Sequence, residues 1–281
     1  MNTQEFIIAA LAEDIGSGDH STLASIDAKV VGTAKLIVKE AGIIAGIRIA
    51  KEVFLHLDKE AVFTAFHTDG EYLEVGTIAF TVKAKAQAIL QAERLVLNTM
   101  QRMSGIATLT HSYVEKIKNY TTTILDTRKT TPLFRAFEKE AVLLGGAKNH
   151  RMGLYDMIML KDNHIDYCGG IIKAIQKAHE YSQKLPKPLK IEVETRSIED
   201  VALVCEQAKG MVFRIMLDNF TPTAITQAMK IINGEFETEA SGGINLDNIA
   251  SYAATGVDYV SVGGLIHQAK SLDLSLKAEL V

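Results

Sequence analysis

The chain has 281 residues, of which 47% are hydrophobic and 23% charged, and its formal net charge is −4. That length buries a large core in one or two domains, and the acidic balance excludes the basic excess usual in proteins that bind nucleic acid or membrane surfaces. No run approaches the roughly 18–20 apolar residues of a membrane span, and the two cysteines, Cys168 and Cys205, form neither a disulfide framework nor a CxxC pair, as in a reduced cytoplasm.

The N-terminal segment has an acidic flank and lacks the basic region of a signal peptide. Gln4–Glu13 reads as a short amphipathic helix. Val30–Glu40 and Ile78–Ala84 read as strands, with a helix over Ile44–Leu57 between them. The segment DGEYLEVGT reads as a short strand flanked by turns at Gly70 and Gly76. In Ala86–His111 the apolar residues Ile89, Leu90, Leu95, Val96, Met100 and Met103 recur at helical spacing. This predicts a long helix, broken near Gly105.

From about residue 112 the rhythm changes. Short β-rich runs at Thr123–Asp126, Asp156–Leu160, Lys190–Glu194, Phe213–Asp218, Glu237–Ala240 and Tyr259–Val262 are each followed by a helical segment. Most are spaced by roughly 20–35 residues, the size of a βα unit. Their centres are apolar with little alternation, as in parallel strands covered on both faces. Six such runs predict an incomplete βα barrel, with a doubly wound open sheet as the rival.

In parallel βα folds, ligands bind at the carboxyl ends of the strands. The residues there sort by type. Arg128 and Lys129 follow the first run, Lys161 with Asp162, Asn163 and His164 the second, Glu194 with Arg196 the third, and Asp218 with Asn219 the fourth. Ser241-Gly242-Gly243 and Gly263-Gly264 follow the last two. Arg128, His150, Arg151 and Lys161 converge as a pocket for a small, highly charged anion. A solvated surface charge is the plain reading for Lys139 and Lys148 but a poor one for Lys161, directly after MIML, and His150 alone is consistent with a satisfied structural histidine. Glu194 and Asp218 singly read equally well as helix caps; together, on neighbouring units, they favour Mg²⁺ or ribose hydroxyls. The glycine pairs suit a phosphate held by main-chain N–H groups. Lys161 also admits an aldolase-type Schiff-base role.

With those residues in view, the chain resembles the quinolinate phosphoribosyltransferase family. The likeness rests on LAEDIGSGDHST, AERLVLNTMQRMSGIATLT, DTRKTTP, GGAKNHR, LKDNHI, IEVET, IMLDN, EASGGI and TGVDYVSVGG, nine ordered blocks over nearly the whole length. The resemblance implies an α/β fold. An N-terminal α/β sandwich would span 1–111, with the tail near 270–281 returning to it, and an incomplete α/β barrel would span 112–269. It implies a cytoplasmic homodimer that converts quinolinate and phosphoribosyl pyrophosphate to nicotinate mononucleotide, pyrophosphate and CO₂ with Mg²⁺, without nucleic acid or membrane partners.

By the same resemblance, Arg128, His150, Arg151 and Lys161 grip the quinolinate carboxylates, with Thr127 beside them and Lys129 near the pyrophosphate. Arg102 reaches the neighbouring subunit's site. Glu194 and Asp218 serve the ribose and hydrated Mg²⁺. Ser241, Gly242, Gly243, Val262, Gly263 and Gly264 cradle the 5′-phosphate, with His267 close by. The catalytic set is Lys129, Lys161, Glu194 and Asp218. The pattern departs at Leu133 and Ala147, where the family commonly has glycine, and at Ile266 and Gln268, which replace hydroxyl residues. A family paralogue acting on another acceptor, a Schiff-base lyase using Lys161 and a non-enzymatic sensor are the alternatives.

Overall fold

The computed structural model describes residues 2–279. Helix α1 (Thr3–Ile15) starts at Asn2, where the Asn2 side chain accepts from the Glu5 N–H and Glu5 accepts from the Asn2 N–H. This reciprocal cap satisfies two main-chain donors that a helix start leaves open. Ile7 and Leu11, four residues apart, form its buried face. Next come α2 (His20–Ser25), β1 (Val31–Val38), β2 (Gly42–Ile43), α3 (Ile47–Leu57), β3 (Val62–Ala65), β4 (Tyr72–Leu73) and β5 (Ile78–Lys85). The helix expected from Ile44 starts only at Ile47, because Gly46 takes a left-handed φ of 96°. The Phe54, Phe63 and Phe80 rings pack with centroids 4.5–6.2 Å apart.

Helix α4 (Ala86–Lys116) runs through Gly105 without a break, against expectation. A Cβ on Gly105 would collide with the carbonyl oxygen of Lys270. Glycine is therefore required by a close main-chain approach from the C-terminal segment, not by a helix break.

The remaining elements are β6 (Thr123–Leu125), α5 (Arg135–Leu144), β7 (Ile158–Leu160), α6 (Asp162–Cys168), α7 (Ile171–Gln183), β8 (Ile191–Thr195), α8 (Ile198–Gln207), β9 (Arg214–Asp218), α9 (Pro222–Ile232), β10 (Glu237–Ser241), α10 (Ile249–Ala253), β11 (Tyr259–Ser261), α11 (Gly264–His267) and β12 (Leu274–Glu279). Ser197 and Thr221 cap α8 and α9 through their hydroxyl oxygens, and Pro222 sits in the first turn of α9.

The described chain divides into two compact units. The first comprises the residues up to His111, Thr130–Gly146 and those from Leu265 onward; the second comprises Ser112–Lys129 and Ala147–Gly264. The sequence reading of 112–269 as one continuous barrel is corrected here. Thr130–Gly146 belongs to the first unit, where Phe134 and Phe137 pack on Phe6 with ring centroids 5.4 and 4.6 Å away. Arg48 also pairs with Glu140 at 3.0 Å.

In the first unit an antiparallel sheet has the order β12-β1-β5-β3, and β2 pairs with β4. In the second, six parallel strands run β6-β11-β10-β9-β8-β7. From β7 to β11 each strand lies beside the next in sequence, and β6 joins β11. The order never reverses, which rules out the doubly wound rival. Strands β6 and β7 are both edges; Leu125 bridges to Lys148 instead. The barrel is incomplete.

Leu133 takes a left-handed φ of 63° and is 78% exposed. That conformation costs an L-residue roughly 1–2 kcal/mol, and glycine would return about 0.5–1 kcal/mol of it as chain entropy. Leu133→Gly is expected to stabilise the protein by about 0.5–1 kcal/mol, read as a higher denaturation midpoint. A lower midpoint would mean the leucine side chain contributes packing that its exposure hides.

Candidate active site

The carboxyl ends of β6 to β11 set the residues of the second unit. Beyond β6, Asp126 is fully buried and accepts the His150 N–H at 2.8 Å, which ties the loop bearing His150 and Arg151 to the strand end. The Thr127 hydroxyl accepts the Lys129 N–H at 3.1 Å, and Lys129 is exposed. Arg151 Nη1 donates to the Met157 carbonyl at 3.0 Å. Burial, and then the nearby Arg128, lower the Arg151 pKa. Arg128 Nε is buried without a hydrogen-bond partner. Two close guanidinium groups, one holding an orphaned buried donor, fit an anion with several oxygens.

Lys161 lies directly after β7, exposed, with its N–H on His164 Nδ1 at 2.9 Å. An exposed lysine lacks the apolar pocket that activates a Schiff-base nucleophile. Glu194 is 7% exposed at the end of β8. Burial raises its pKa, the Asp218 charge raises it further, and Lys161 opposes both. Asp218 accepts from the Ser241 hydroxyl at 2.5 Å and from Asn219 Nδ2 at 2.6 Å. Ser241, singled out for the phosphate, thus also orients Asp218. Asn219, which follows Asp218 at the strand end, has no role assigned by the sequence. Its left-handed φ of 57° and its place against Gly242, where a Cβ would strike its side chain, make it a wedge at this turn.

The Glu194 carboxyl answers a direct test. With Asp218→Asn, its pKa should fall, as followed by carboxyl-carbon NMR titration. An unchanged value would leave burial as the whole cause. Because the folded pKa is raised, the stability this carboxyl contributes is present below the ordinary carboxylate range and lost as pH rises through the raised value.

Gly242 and Gly243 have left-handed φ values of 91° and 64°, so this turn itself demands glycine. Val262 is buried, with its N–H on the Leu125 carbonyl at 3.0 Å, and Gly263 and Gly264 follow. Ala147 is buried.

His150 is buried together with three residues that the sequence reading passed over. Its Nε2 lies 3.0 Å from Glu192 Oε2 and 3.4 Å from Glu239 Oε2. Arg214 Nη1 lies 2.9 Å from the same Glu239 oxygen. The ligand atoms of His150, Glu192 and Glu239 lie within 4.8 Å of one another, as metal ligands would. Arg214 already supplies a cation there. The signal was present: Glu192 is two residues before Glu194, hence on the same face of β8.

Arg102 and His267 belong to the first unit. Arg102 donates from Nε and Nη2 to Glu138 Oε1, at 3.0 and 2.8 Å, and from Nη1 and Nη2 to the carbonyls of Ala269 and Ile266. Glu138 has no exposed side-chain surface and also accepts from the Thr131 N–H and hydroxyl. Ile266 is buried; His267 and Gln268 are exposed.

A two-unit chain with an incomplete parallel α/β barrel, cations and paired acids at its strand ends, defines an enzyme built for polyanionic substrates. The chain belongs to the quinolinate phosphoribosyltransferase family: the N-terminal domain model of that family matches residues 19–104 and the C-terminal domain model residues 106–277. It is 42% identical over 283 residues to the chloroplastic nicotinate-nucleotide pyrophosphorylase [carboxylating] of Arabidopsis thaliana, covering 96% of this chain and 81% of that protein. A probable enzyme of the same name from Synechocystis is 42% identical over 270 residues, covering 95% and 89%. The solved NadC structure from Streptococcus pyogenes superposes with a TM-score of 0.91 at 40% identity, covering 98% of this chain and 95% of that one.

Proposed function

We infer that this chain transfers the phosphoribosyl group of phosphoribosyl pyrophosphate to quinolinate, releasing pyrophosphate and CO₂ and forming nicotinate mononucleotide for NAD synthesis. Family membership supports the reaction. The observation that carries it is the pairing, at the strand ends of one barrel, of clustered cations with two mutually repelling acids. Neither a Schiff-base lyase nor another acceptor is favoured by anything in the site.

Quinolinate brings two carboxylates, and the second substrate brings a phosphate and a pyrophosphate. Arg128, Arg151 and Lys161 take the carboxylates, with His150 fixing the Arg151 loop. Lys129, exposed beside them, meets the pyrophosphate. Such charge–charge interactions gain strength once substrate displaces water. Alignment of the pyridine nitrogen with ribose C1 then does most of the catalytic work. The 2-carboxylate then leaves as CO₂: the bond from C2 breaks, its electron pair stays on C2 beside the positively charged ring nitrogen, and C2 takes up a proton from solvent. The Ser241–Gly243 and Gly263–Gly264 turns hold the 5′-phosphate.

Mg²⁺ fits Glu194 and Asp218, since the Asp218 charge raises the cost of charge on Glu194 and a divalent cation relieves it. When bound there, it supplies positive charge to the pyrophosphate. The working assembly is a homodimer in the cytoplasm, with Arg102 contributed across the interface. Among the described residues no helix is long and apolar enough to cross a membrane.

One assay tests the reading. Purified protein with quinolinate, phosphoribosyl pyrophosphate and Mg²⁺ should yield nicotinate mononucleotide, pyrophosphate and CO₂ in equal amounts, and excess chelator should stop turnover. Absence of product would overturn the substrate assignment; turnover in chelator would overturn the metal assignment.

A further inference from the structure

We propose that Glu192, Glu239 and Arg214 are positioning residues that hold His150, and through it the Arg151 main chain, in register for quinolinate. The inference rests on the assignment of Arg151 to a quinolinate carboxylate. Barrel interiors of this type are usually filled by branched aliphatic side chains. Here one interior layer is ionic. Glu192 pairs in register with Arg214, and Arg214 with Glu237, so these residues and Glu239, two positions beyond Glu237, share one face of the sheet. Glu192 and Glu239 are wholly buried.

Arg214 is fixed from several sides. It donates to Glu239 and to Glu237, each at 2.9 Å, and its guanidinium lies 4.1 Å from the centre of the Tyr259 ring. Glu192 Oε2 stands 3.7 Å from the same guanidinium. Arg214 thus sets the two carboxylates, and the two carboxylates face one edge of the His150 ring. A buried ionic layer is a poor way to gain stability, because desolvation offsets most of the attraction. Its use here is orientation.

The opposite edge of that ring carries the consequence. His150 Nδ1 accepts the Arg151 N–H at 2.7 Å. That contact needs a lone pair on Nδ1, so while it is made the ring carries its one proton on Nε2, toward Glu192. The two carboxylates draw a second proton toward the ring, against the effect of burial. Its arrival at Nδ1 would break the Arg151 contact, so the second proton and that contact exclude one another. The column from Arg214 through the carboxylates and imidazole ends on the main chain of Arg151. The Asp126 carboxylate, on the His150 N–H, pins the same loop from the strand side.

The test separates positioning from plain structure. Glu192→Gln and Glu239→Gln should raise the quinolinate KM about tenfold or more while the phosphoribosyl pyrophosphate KM stays within about twofold. In ¹⁵N NMR titration, the His150 ring should lose its second proton at lower pH in both variants, since each carboxylate draws that proton to the ring. Arg214→Lys should keep most of the quinolinate affinity, and Arg214→Gln should not. Should a single variant fail to fold, the charge-balanced pair Glu239→Gln with Arg214→Gln takes its place. Folded variants with a wild-type quinolinate KM and an unchanged ring titration would overturn the proposal, as would equal rises in both KM values. Failure of the underlying assignment looks different: Arg151→Ala would then itself leave the quinolinate KM unchanged.

Discussion

Arg151→Ala is expected to lower kcat/KM for quinolinate by about tenfold or more, since a charge-assisted bond to a carboxylate contributes roughly 1.5–3 kcal/mol net. The loss should fall on quinolinate and spare phosphoribosyl pyrophosphate. The fold should survive, because the side-chain bond that disappears is that to the Met157 carbonyl. Arg151→Lys should recover part of the loss only, as an ammonium cannot match the two-pronged geometry of a guanidinium. Steady-state kinetics with each substrate varied in turn decide it. A soluble, folded Arg151→Ala enzyme with wild-type constants would remove this arginine from the site.

Arg102→Ala is expected to be severe for a different reason. It strands the Glu138 carboxylate, which has no exposed surface. Removing one partner of a buried ion pair costs about 3–5 kcal/mol. For a chain of this size, that lowers Tm by roughly 6 °C or more. Activity should suffer as well. The four bonds from Arg102 to Glu138, Ala269 and Ile266 leave one of its five N–H groups, which in the proposed dimer would meet an anion in the partner's site. Mixing Arg102→Ala with Lys161→Ala subunits, below the lowered Tm, separates the two effects. Each heterodimer would hold one site with both lesions and one with neither, so each should regain about half of a wild-type dimer's activity, and a statistical mixture about a quarter per dimer. No recovery despite verified subunit exchange would confine Arg102 to the stability of its own subunit.

Much of the barrel was legible because its strands are covered on both faces. Runs such as Ile158–Leu160 and Arg214–Asp218 stand out as apolar stretches that end abruptly in charge, and that charge marks the functional rim. The family resemblance, carried by motifs such as DTRKTTP and LKDNHI, supplied roles that periodicity alone leaves open.

What stayed hidden depends on distant partners. Gly105 looks like a helix breaker until the Lys270 carbonyl is seen against it. Thr130–Gly146 follows a barrel strand, yet its phenylalanines seek Phe6, and no local pattern announces that. Glu192 and Glu239 are acids inside runs otherwise read as covered on both faces, and taken alone they imitate solvent-facing positions; their burial depends on Arg214 and His150. Ser241 sits in a motif that reads as phosphate binding, while its hydroxyl is turned onto Asp218.

The antiparallel register of β12 on β1, from Thr33 opposite Glu279 to Val38 opposite Leu274, joins strands separated by nearly the whole chain. Closing so long a loop carries an entropic cost that is met late, after local contacts have formed. Until then β1 is an open sheet edge with unpaired main-chain groups, able to recruit a strand from another nascent molecule. The second unit faces no such delay across Ala147–Gly264, where each new strand from β7 to β11 docks beside the one just made. Folding should therefore be ordered, with the barrel ahead of the sandwich. Substitutions that weaken β12 should show first as aggregation during synthesis, and only later as loss of turnover.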